Sequence, residues 1–527
     1  MRASVSQFFR RLRQELGSQA WLYTLAALSG ALYAAGFCGF DQHYLAWICL
    51  VPQLWVLQRA DLTPRRAFYT SWVTGMVAHL GCYTWIVYML RHFAYLPWPL
   101  ALLGYALLCL AQSSLLAVWG LLAWLCCHRG KVSLLWTAPV SMVVAEWLYP
   151  ALFPSYLANS QYRQPLVLQS LEVWGALGLT FVLVLCSALV LQLGSLVHRR
   201  RLPGVAQGAS LALATAVCVG NAVYGHFRLH AVSEQLQKAT RQVRVGMVQT
   251  NMGIYEKTDN PEEGLRRHQE QSLQLQARGV DLIIWPESGY YYAIYDGTQN
   301  VAQAVLGPVR TPLLFGGLRV AGSPGKRRLY NTAFLTDAAG TLLSSYDKTF
   351  LLAFGEYMPL GELWPILYKL LPQTPHTSRG SHLRPLTLAG IRYGILICYE
   401  DILPSFARQV AKQNPDVLVN LTNDAWFGPG HEPSIHLALG LFRAVEHRRY
   451  LLRSTNTGIS SIIEPTGRVQ TESGVFERAS VEGTFSPQRQ TTFYGRFGDW
   501  IGYLCAALLA VWLGRSKLTL RRSGPAN

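Results

Sequence analysis

The sequence predicts a bundle of about eight transmembrane α-helices joined to an extracytoplasmic α/β layered domain, on three observations. Carboxylates are nearly excluded from the first part of the chain. Of 29 acidic side chains in 527 residues, residues 1–233 hold five (Glu15, Asp41, Asp61, Glu146 and Glu172), residues 234–499 the other 24, and residues 500–527 none. Such a stretch cannot present an ordinary aqueous surface, and its apolar runs meet the requirement of about 20 apolar residues per bilayer crossing. Basic residues gather at every second turn between those runs. The middle of the chain alternates short β-branched runs with polar helical stretches, the pattern of an α/β layered fold.

The apolar runs place spans at 20–38, 43–58, 67–90, 97–127, 132–149, 168–197, 207–227 and 498–514. The fourth is long enough to tilt or to hold a re-entrant turn around Ala111–Ser114. Arg2, Arg10, Arg11 and Arg13 precede the first run, and Arg59, Arg65 and Arg66 lie between the second and third. Arg129 and Lys131 follow the fourth, Arg199, Arg200 and Arg201 the sixth, and Arg515, Lys517, Arg521 and Arg522 the last. The alternate loops carry little more than Arg91 and Arg163. This positive-inside pattern puts both termini in the cytoplasm and residue 230 outside. The net charge of +17 therefore reports topology and not a nucleic-acid partner. The run from Trp21 has no clear small-residue cleavage site before the next begins, so it is expected to stay as a first span. The expected divisions are a bundle over 1–230, a catalytic domain over 240–490 and a last span over 498–514, all in a bacterial inner membrane with the catalytic domain on the periplasmic face.

Within the globular part, strands are expected at 244–251, 281–288, 311–318, 331–337, 393–401 and 416–424, helices at 261–278 and 436–449, and two more strands over 451–467. Nine of the ten cysteines (38, 49, 82, 109, 126, 127, 186, 218 and 505) fall in or beside apolar spans, where a small buried hydrophobe is the ordinary reading. Cys398 is the one cysteine of the outer domain, in a compartment that favours disulfides. It is either a reactive thiol or a buried structural cysteine at a strand end.

Three charged features favour reactivity. Glu287 follows an apolar strand, Trp285 and Pro286. Lys348 sits in SSYDKTF, and Cys398 ends YGILIC. Ligands gather outside the carboxyl ends of strands in α/β sheets. A thiol of pKa near 8.5 there needs a base, which a carboxylate supplies. An ammonium and a backbone N–H then hold the oxyanion of a tetrahedral intermediate. Together these make an acyl-transfer device.

The strings WPES, YDKTFLLAFGEYMP, GILICYED and LTNDAWFG, in this order, resemble the nitrilase (carbon–nitrogen hydrolase) superfamily. FGEYMP, the Tyr-Glu after the cysteine, NDAWFG and the frame of seven spans, a globular domain and one last span are similar more narrowly to the apolipoprotein N-acyltransferase family. The resemblance covers most of the chain. It implies an αββα sandwich with a catalytic triad of Glu287, Lys348 and Cys398, a further essential glutamate at Glu356, and Tyr399 and Glu400 beside the substrate. It implies a thioester acyl-enzyme and no cofactor. The acyl donor would be a phospholipid and the acceptor the α-amino group of a diacylglyceryl-cysteine lipoprotein, with the protein working as a monomer in the membrane. Thr258 departs from the pattern, standing where the family carries a tryptophan; Tyr255 is an aromatic nearby.

Several further residues have two readings. Tyr290, Tyr291, Tyr292 and Tyr295 suit an interfacial aromatic loop, or ordinary packing. The apolar stretch Leu351–Leu371 suits a lipid-dipping lid, or an amphipathic helix on the core. Glu146 and Glu172, near span ends, are functional candidates or hydrated termini. His431 and His436 lack a third ligand at zinc spacing, so no metal is expected. Asn420, Asn423 and Asp424 are expected to shape the site. Two other functions stay open: a membrane-bound nitrilase-type amidase that passes its acyl group to water, and a non-enzymatic membrane scaffold.

Overall fold

The computed structural model describes residues 20–522 except 152, 324, 354, 362, 365, 367, 368 and 370–375, with the side chains of 254 and 516–522 also left out. The chain divides into two compact units: 1–161, 174–224 and 499–527 form one, and 162–173 with 225–498 the other. The segment 162–173, expected to belong with the apolar spans, thus groups with the globular unit.

The first unit is helical. Helical structure overlaps each of the eight expected spans: 20–36, His43–Leu57, Pro64–His92, Trp98–Arg129, Leu134–Leu148, Leu171–His198, Val205–Gln237 and Trp500–Arg522. Trp98–Arg129, Leu171–His198 and Val205–Gln237 are long and apolar enough to cross a membrane. The third span is broken, with Pro64–Cys82 and Trp85–His92 meeting at 58°. Tyr83, at φ −107° and ψ 21°, leaves helical geometry at the break. Of the two readings of the fourth span, a tilt or a re-entrant turn at Ala111–Ser114, the turn is not formed; a single interruption at Ser113, whose own φ −64° and ψ −19° remain helical, lets the helix run on to Arg129. Small side chains let these helices approach closely: a Cβ on Gly75 would lie 2.8 Å from the Ser113 carbonyl oxygen. Polar groups in the interior pair with one another, as where Gln53 Nε2 donates to Ser71 Oγ at 2.8 Å.

Among the described residues the second unit holds thirteen strands: β1 (Val243–Gln249), β2 (Leu282–Ile284), β3 (Tyr290–Tyr295), β4 (Leu313–Ala321), β5 (Arg328–Thr336), β6 (Leu342–Asp347), β7 (Leu386–Leu388), β8 (Ile391–Ile397), β9 (Val417–Thr422), β10 (Leu451–Thr455), β11 (Ser461–Ile463), β12 (Val469–Glu472) and β13 (Ala479–Phe485). They form two sheets, β13-β1-β2-β4-β5-β6 with β3 also on β4, and β12-β11-β10-β9-β8-β7. The central pairs β1–β2–β4 and β8–β9–β10 are parallel, and the flanking pairs antiparallel, β3 excepted. The period of two explains the layers. Val245, Met247, Leu282 and Ile284 meet Ile395, Ile397, Val419 and Leu421 in the core between the sheets. Val248, Ile283 and Trp285 point the other way, into a second core with Leu275 of helix Pro261–Ala277. Helices Pro404–Ala411 and Glu432–His447 pack on the second sheet. The result is two sheets face to face with helices on the outside.

Candidate active site

Glu287 is placed by an interruption in a strand edge. β2 and β3 both run parallel to β4, and the residues between them, Trp285 to Gly289, bulge out of the ladder. Trp285 is fully buried and its Nε1 donates to Ser272 Oγ at 2.9 Å, pinning the start of the bulge. Ser288 takes the left-handed φ of 53°. Gly316 of β4 lies beneath: a Cβ there would come 2.6 Å from the Pro286 carbonyl oxygen and 2.7 Å from the Glu287 Cα. Only a residue without a side chain lets the bulge rest on β4.

Lys348 follows β6 and is 2 % exposed. Its Nζ is 2.9 Å from Glu356 and 3.5 Å from Glu287 Oε1. Asn331 of β5 bridges the two acids, its Nδ2 donating to Glu287 Oε1 at 2.7 Å and Glu356 Oε1 at 3.1 Å. Glu356 also accepts the Leu352 N–H at 2.8 Å, which anchors the loop bearing it.

Cys398 ends β8 and turns the chain into a one-turn 3₁₀ helix, Cys398–Glu400. Its φ of 51° is left-handed, a conformation that costs a non-glycine residue about 1–3 kcal/mol and must be held by its surroundings. Part of that hold is Glu400, which is fully buried. It accepts hydrogen bonds from the Ile397 N–H at 2.8 Å, the Thr349 N–H at 2.7 Å, the Phe350 N–H at 2.9 Å and the Tyr346 hydroxyl at 2.9 and 3.0 Å. One carboxylate thus ties the end of β8, which carries the cysteine, to the end of β6, which carries the lysine. Glu400, expected beside the substrate, has both oxygens engaged in these internal hydrogen bonds. Tyr399 is largely buried and stacks on Phe350, centroids 6.0 Å apart.

The electrostatics are those of an acid–base relay. Burial raises Glu287, and Glu356 adds to this, while Lys348, Asn331 and a hydrogen bond from Cys398 work against it. Burial and the Glu287 carboxylate push the Cys398 thiol well above its ordinary value, against the pull of Lys348 and Thr422. Burial opposes the charge on Lys348, but Glu356 and Glu287 outweigh it and raise its pKa. These shifts favour a thiol at Cys398 and an ammonium at Lys348, the latter held between Glu287 and Glu356.

Residues 29–189 match the apolipoprotein N-acyltransferase N-terminal domain, and residues 244–489 match the carbon–nitrogen hydrolase domain. An apolipoprotein N-acyltransferase of Geobacter metallireducens is 32 % identical, with 93 % of this chain and 94 % of that one aligned. The chain belongs to the apolipoprotein N-acyltransferase family. The family member of Bdellovibrio bacteriovorus is 30 % identical over 98 % of this chain and 96 % of its own. Among solved structures, Saccharomyces cerevisiae Nit3, of branch 10 of the nitrilase superfamily, matches 49 % of this chain and 96 % of its own at 17 % identity and a TM-score of 0.37. As a member of the apolipoprotein N-acyltransferase family the chain is an acyltransferase built on a carbon–nitrogen hydrolase domain.

Other expected residues of this family member fall in several places. The tyrosines after Glu287 are not a loop but strand β3: Tyr290 packs on Phe315, while Tyr291, Tyr292 and Tyr295 are exposed. Thr258, at the departure from the family pattern, shares a 2.8 Å hydrogen bond with the Tyr291 hydroxyl. In the stretch Leu351–Leu371, Leu351 and Met358 are buried and Leu360, Leu363, Trp364 and Ile366 exposed; Phe354, Pro365, Leu367 and Leu370 lie outside the described residues. Glu146 is buried and accepts the Leu157 N–H at 2.9 Å. Glu172 accepts Arg448 Nε at 2.7 Å and Arg228 Nη2 at 2.9 Å.

The sequence reading missed a charge ring behind Cys398. His436 Nδ1 is 2.8 Å from Asp424 and its Nε2 3.0 Å from Asp401. Arg453 completes the ring, donating to Asp401 at 2.7 Å and Asp424 at 3.2 Å. Asn420 joins it to the turn, accepting Arg453 at 2.9 Å and donating to the Cys398 carbonyl at 3.4 Å. Burial and Arg453 oppose a charge on His436, yet Asp424 and Asp401 lift its pKa to about 10. Asp424, Glu432 and His436 do bring ligand-type atoms within 4.8 Å of one another. Both imidazole nitrogens are already committed to carboxylates, however, and Arg453 neutralises what His436 does not.

Proposed function

We propose that this enzyme transfers a fatty acyl chain from a phospholipid to the α-amino group of a diacylglyceryl-cysteine at a lipoprotein N-terminus, through a thioester on Cys398. One observation carries the reading: a cysteine held at left-handed φ adjoins a buried carboxylate that is already paired with a buried ammonium.

Glu287 removes the thiol proton, and Lys348 compensates the thiolate. The sulfur attacks an ester carbonyl carbon of the donor. The oxyanion is met by Lys348 and the Tyr399 N–H. The ester C–O bond breaks, Glu287 returns its proton to the departing oxygen, and a lysophospholipid leaves. The acceptor amine, neutral when it attacks, forms the amide bond as the C–S bond breaks. Its proton passes through Glu287 to the sulfur. Two moderate barriers replace one high one. Asn331 and Glu356 keep Glu287 and Lys348 aligned, and Glu400 keeps Lys348 and Cys398 in register.

Eight spans in a bacterial inner membrane, with the catalytic unit on the periplasmic face and the chain acting as a monomer, complete the proposal. The arginine clusters at alternate loops support that orientation.

The test is to incubate the purified full chain with phospholipid and no acceptor, and to read intact mass. Wild type should carry a hydroxylamine-sensitive acyl adduct on Cys398, discharged by a diacylated lipopeptide amine. An unmodified wild type, or the same adduct on Cys398→Ser, would sink the mechanism. Discharge by water alone would establish the amidase instead.

A further inference from the structure

The catalytic cluster lies at the carboxyl ends of β8 and β9. At the opposite ends of the second sheet lies a cavity of about 250 Å³ lined by Lys412, Asn414, His447, Arg449, Gln490 and Arg496, among others. One water needs about 10–15 Å³, so the cavity takes a much larger guest. Helix Glu432–His447 spans the distance between the two places: His436 near one end belongs to the charge ring, and His447 at the other end lines the cavity. That is about 16 Å of helix at 1.5 Å per residue.

Three features of the cavity point to an anion. Its lining carries three permanent cations and no carboxylate. Among the described residues, none of Lys412, Arg449 and Arg496 forms an ion pair. The neighbouring acids are committed elsewhere, Asp416 to Arg489 and Glu446 to Arg443. Arg449 is 2 % exposed and donates to uncharged carbonyl oxygens, those of Pro415 at 2.7 Å, His447 at 2.8 Å, Arg448 at 3.3 Å and Gln490 at 2.6 Å. Finally, His447 is 2 % exposed, and its Nε2 has no hydrogen-bond partner among the described residues. A buried polar atom of a cavity wall left without a partner marks a place where a ligand atom belongs. A guanidinium fork, an ammonium and an imidazole nitrogen around one cavity suit a tetrahedral oxyanion.

The chain itself suggests where that anion comes from. Arg496 stands four residues before Trp500, where the apolar helix Trp500–Arg522 begins. Phe493 and Phe497, beside Arg496, are half-exposed. We propose that the cavity between Lys412, Arg449 and Arg496 is a binding site for a phosphate group, that of an anionic phospholipid headgroup, separate from the catalytic cluster. The lipid source rests on the proposed reading of 498–514 as a span; the phosphate chemistry does not.

The test uses the full chain in neutral detergent and native mass spectrometry. Phosphatidylglycerol should be retained at least tenfold over phosphatidylcholine, and inorganic phosphate should compete for it. The preference should fall at least tenfold in Lys412→Gln/Arg496→Gln, whose two side chains are exposed and whose loss leaves the core intact. The acyl adduct on Cys398 should form in that variant as in wild type, which checks folding and separates this site from the chemistry. No preference in wild type, or an equal preference in the double variant, overturns the proposal. Inorganic phosphate binding without lipid retention overturns the lipid assignment and makes the ligand a soluble phosphate. Loss of the adduct in wild type would refute the catalytic mechanism and leave this result standing.

Discussion

The Tyr346 hydroxyl stands 2.9 and 3.0 Å from the two carboxylate oxygens of Glu400. Neither residue touches the reacting atoms, yet the pair joins the strand ends that deliver Lys348 and Cys398. Tyr346→Phe removes one hydrogen bond to a buried acid, a loss of about 1.5–3 kcal/mol. We expect kcat for acyl-adduct formation to fall about tenfold or more with KM for phospholipid little changed. A change confined to KM would show that Tyr346 serves substrate binding.

Glu400 also titrates. Burial pushes its pKa up to about 7, against the Ile397, Phe350 and Thr349 N–H groups and Lys348. With a folded pKa above the unfolded one, the folded protein holds the proton more tightly. This stability is present below pH 4.5 and is lost as pH rises through 7. The difference in Tm between wild type and Glu400→Gln should therefore shrink, then turn against wild type, across that window. A difference that grows with pH would contradict it.

Glu356 raises the pKa of Glu287 by charge repulsion and helps hold Lys348 protonated. Glu356→Gln should move the acid limb of the kcat/KM profile to lower pH, because Glu287 then keeps Lys348 to itself and becomes a weaker base. A fall of about 10²-fold in rate at neutral pH is in line with the loss of one acid–base component. An acid limb that stays in place would show that Glu356 does not tune the base.

Gly316→Ala tests the bulge under Glu287. A Cβ 2.6 Å from one backbone atom and 2.7 Å from another must displace the loop. Overpacking of this kind costs about 1–3 kcal/mol. The Tm should fall accordingly, and the Cys398 adduct should form at least 100-fold more slowly as Glu287 leaves its place. Formation at the wild-type rate would show that the bulge tolerates the shift.

His436→Gln breaks the charge ring and leaves Asp401 and Asp424 with Arg453 alone. Removing one partner of a buried pair costs about 3–5 kcal/mol. The stabilisation in wild type is complete below pH 6.5 and is lost as pH rises through about 10. The Tm gap between the two proteins should be widest below pH 6.5 and should close towards pH 10; a gap independent of pH would contradict a charged His436.

What the sequence revealed of the fold depended on burial. β1, β8 and β9 are nearly continuous apolar runs, because parallel strands covered on both faces must be. β6 and β12 are only partly buried and set polar residues side by side, Ser344 with Ser345 and Gln470, Thr471 and Glu472, so they resemble loops. β3 hides in a run of tyrosines that suits a membrane interface equally well. Glu287 and Cys398 could be singled out because each follows an apolar strand, whereas Lys348 follows the polar β6 and stood out only within SSYDKTF. Asn331 was not, since an asparagine inside a strand carries no signal until Glu287 and Glu356 are seen to converge on it. The ring of Asp401, Asp424, His436 and Arg453 was equally hidden: its members are scattered over 52 residues and come together only when three parallel strands and one helix are in place. The cation Arg448, paired with Glu172, was invisible for the same reason, its partner lying 276 residues away.

That last distance has a consequence for biosynthesis. Glu172 lies in the segment 162–173, which is made before almost all of the unit that enfolds it, 225–498. While the ribosome adds those residues, the carboxylate has no Arg448 to neutralise it. Gln169, whose side chain also waits for Arg448, is in the same position. Until then only Arg228, 56 residues further on, is available to offset the carboxylate. A fragment beginning at residue 240 would lack it altogether, and its Arg448 would be left buried without a counter-charge.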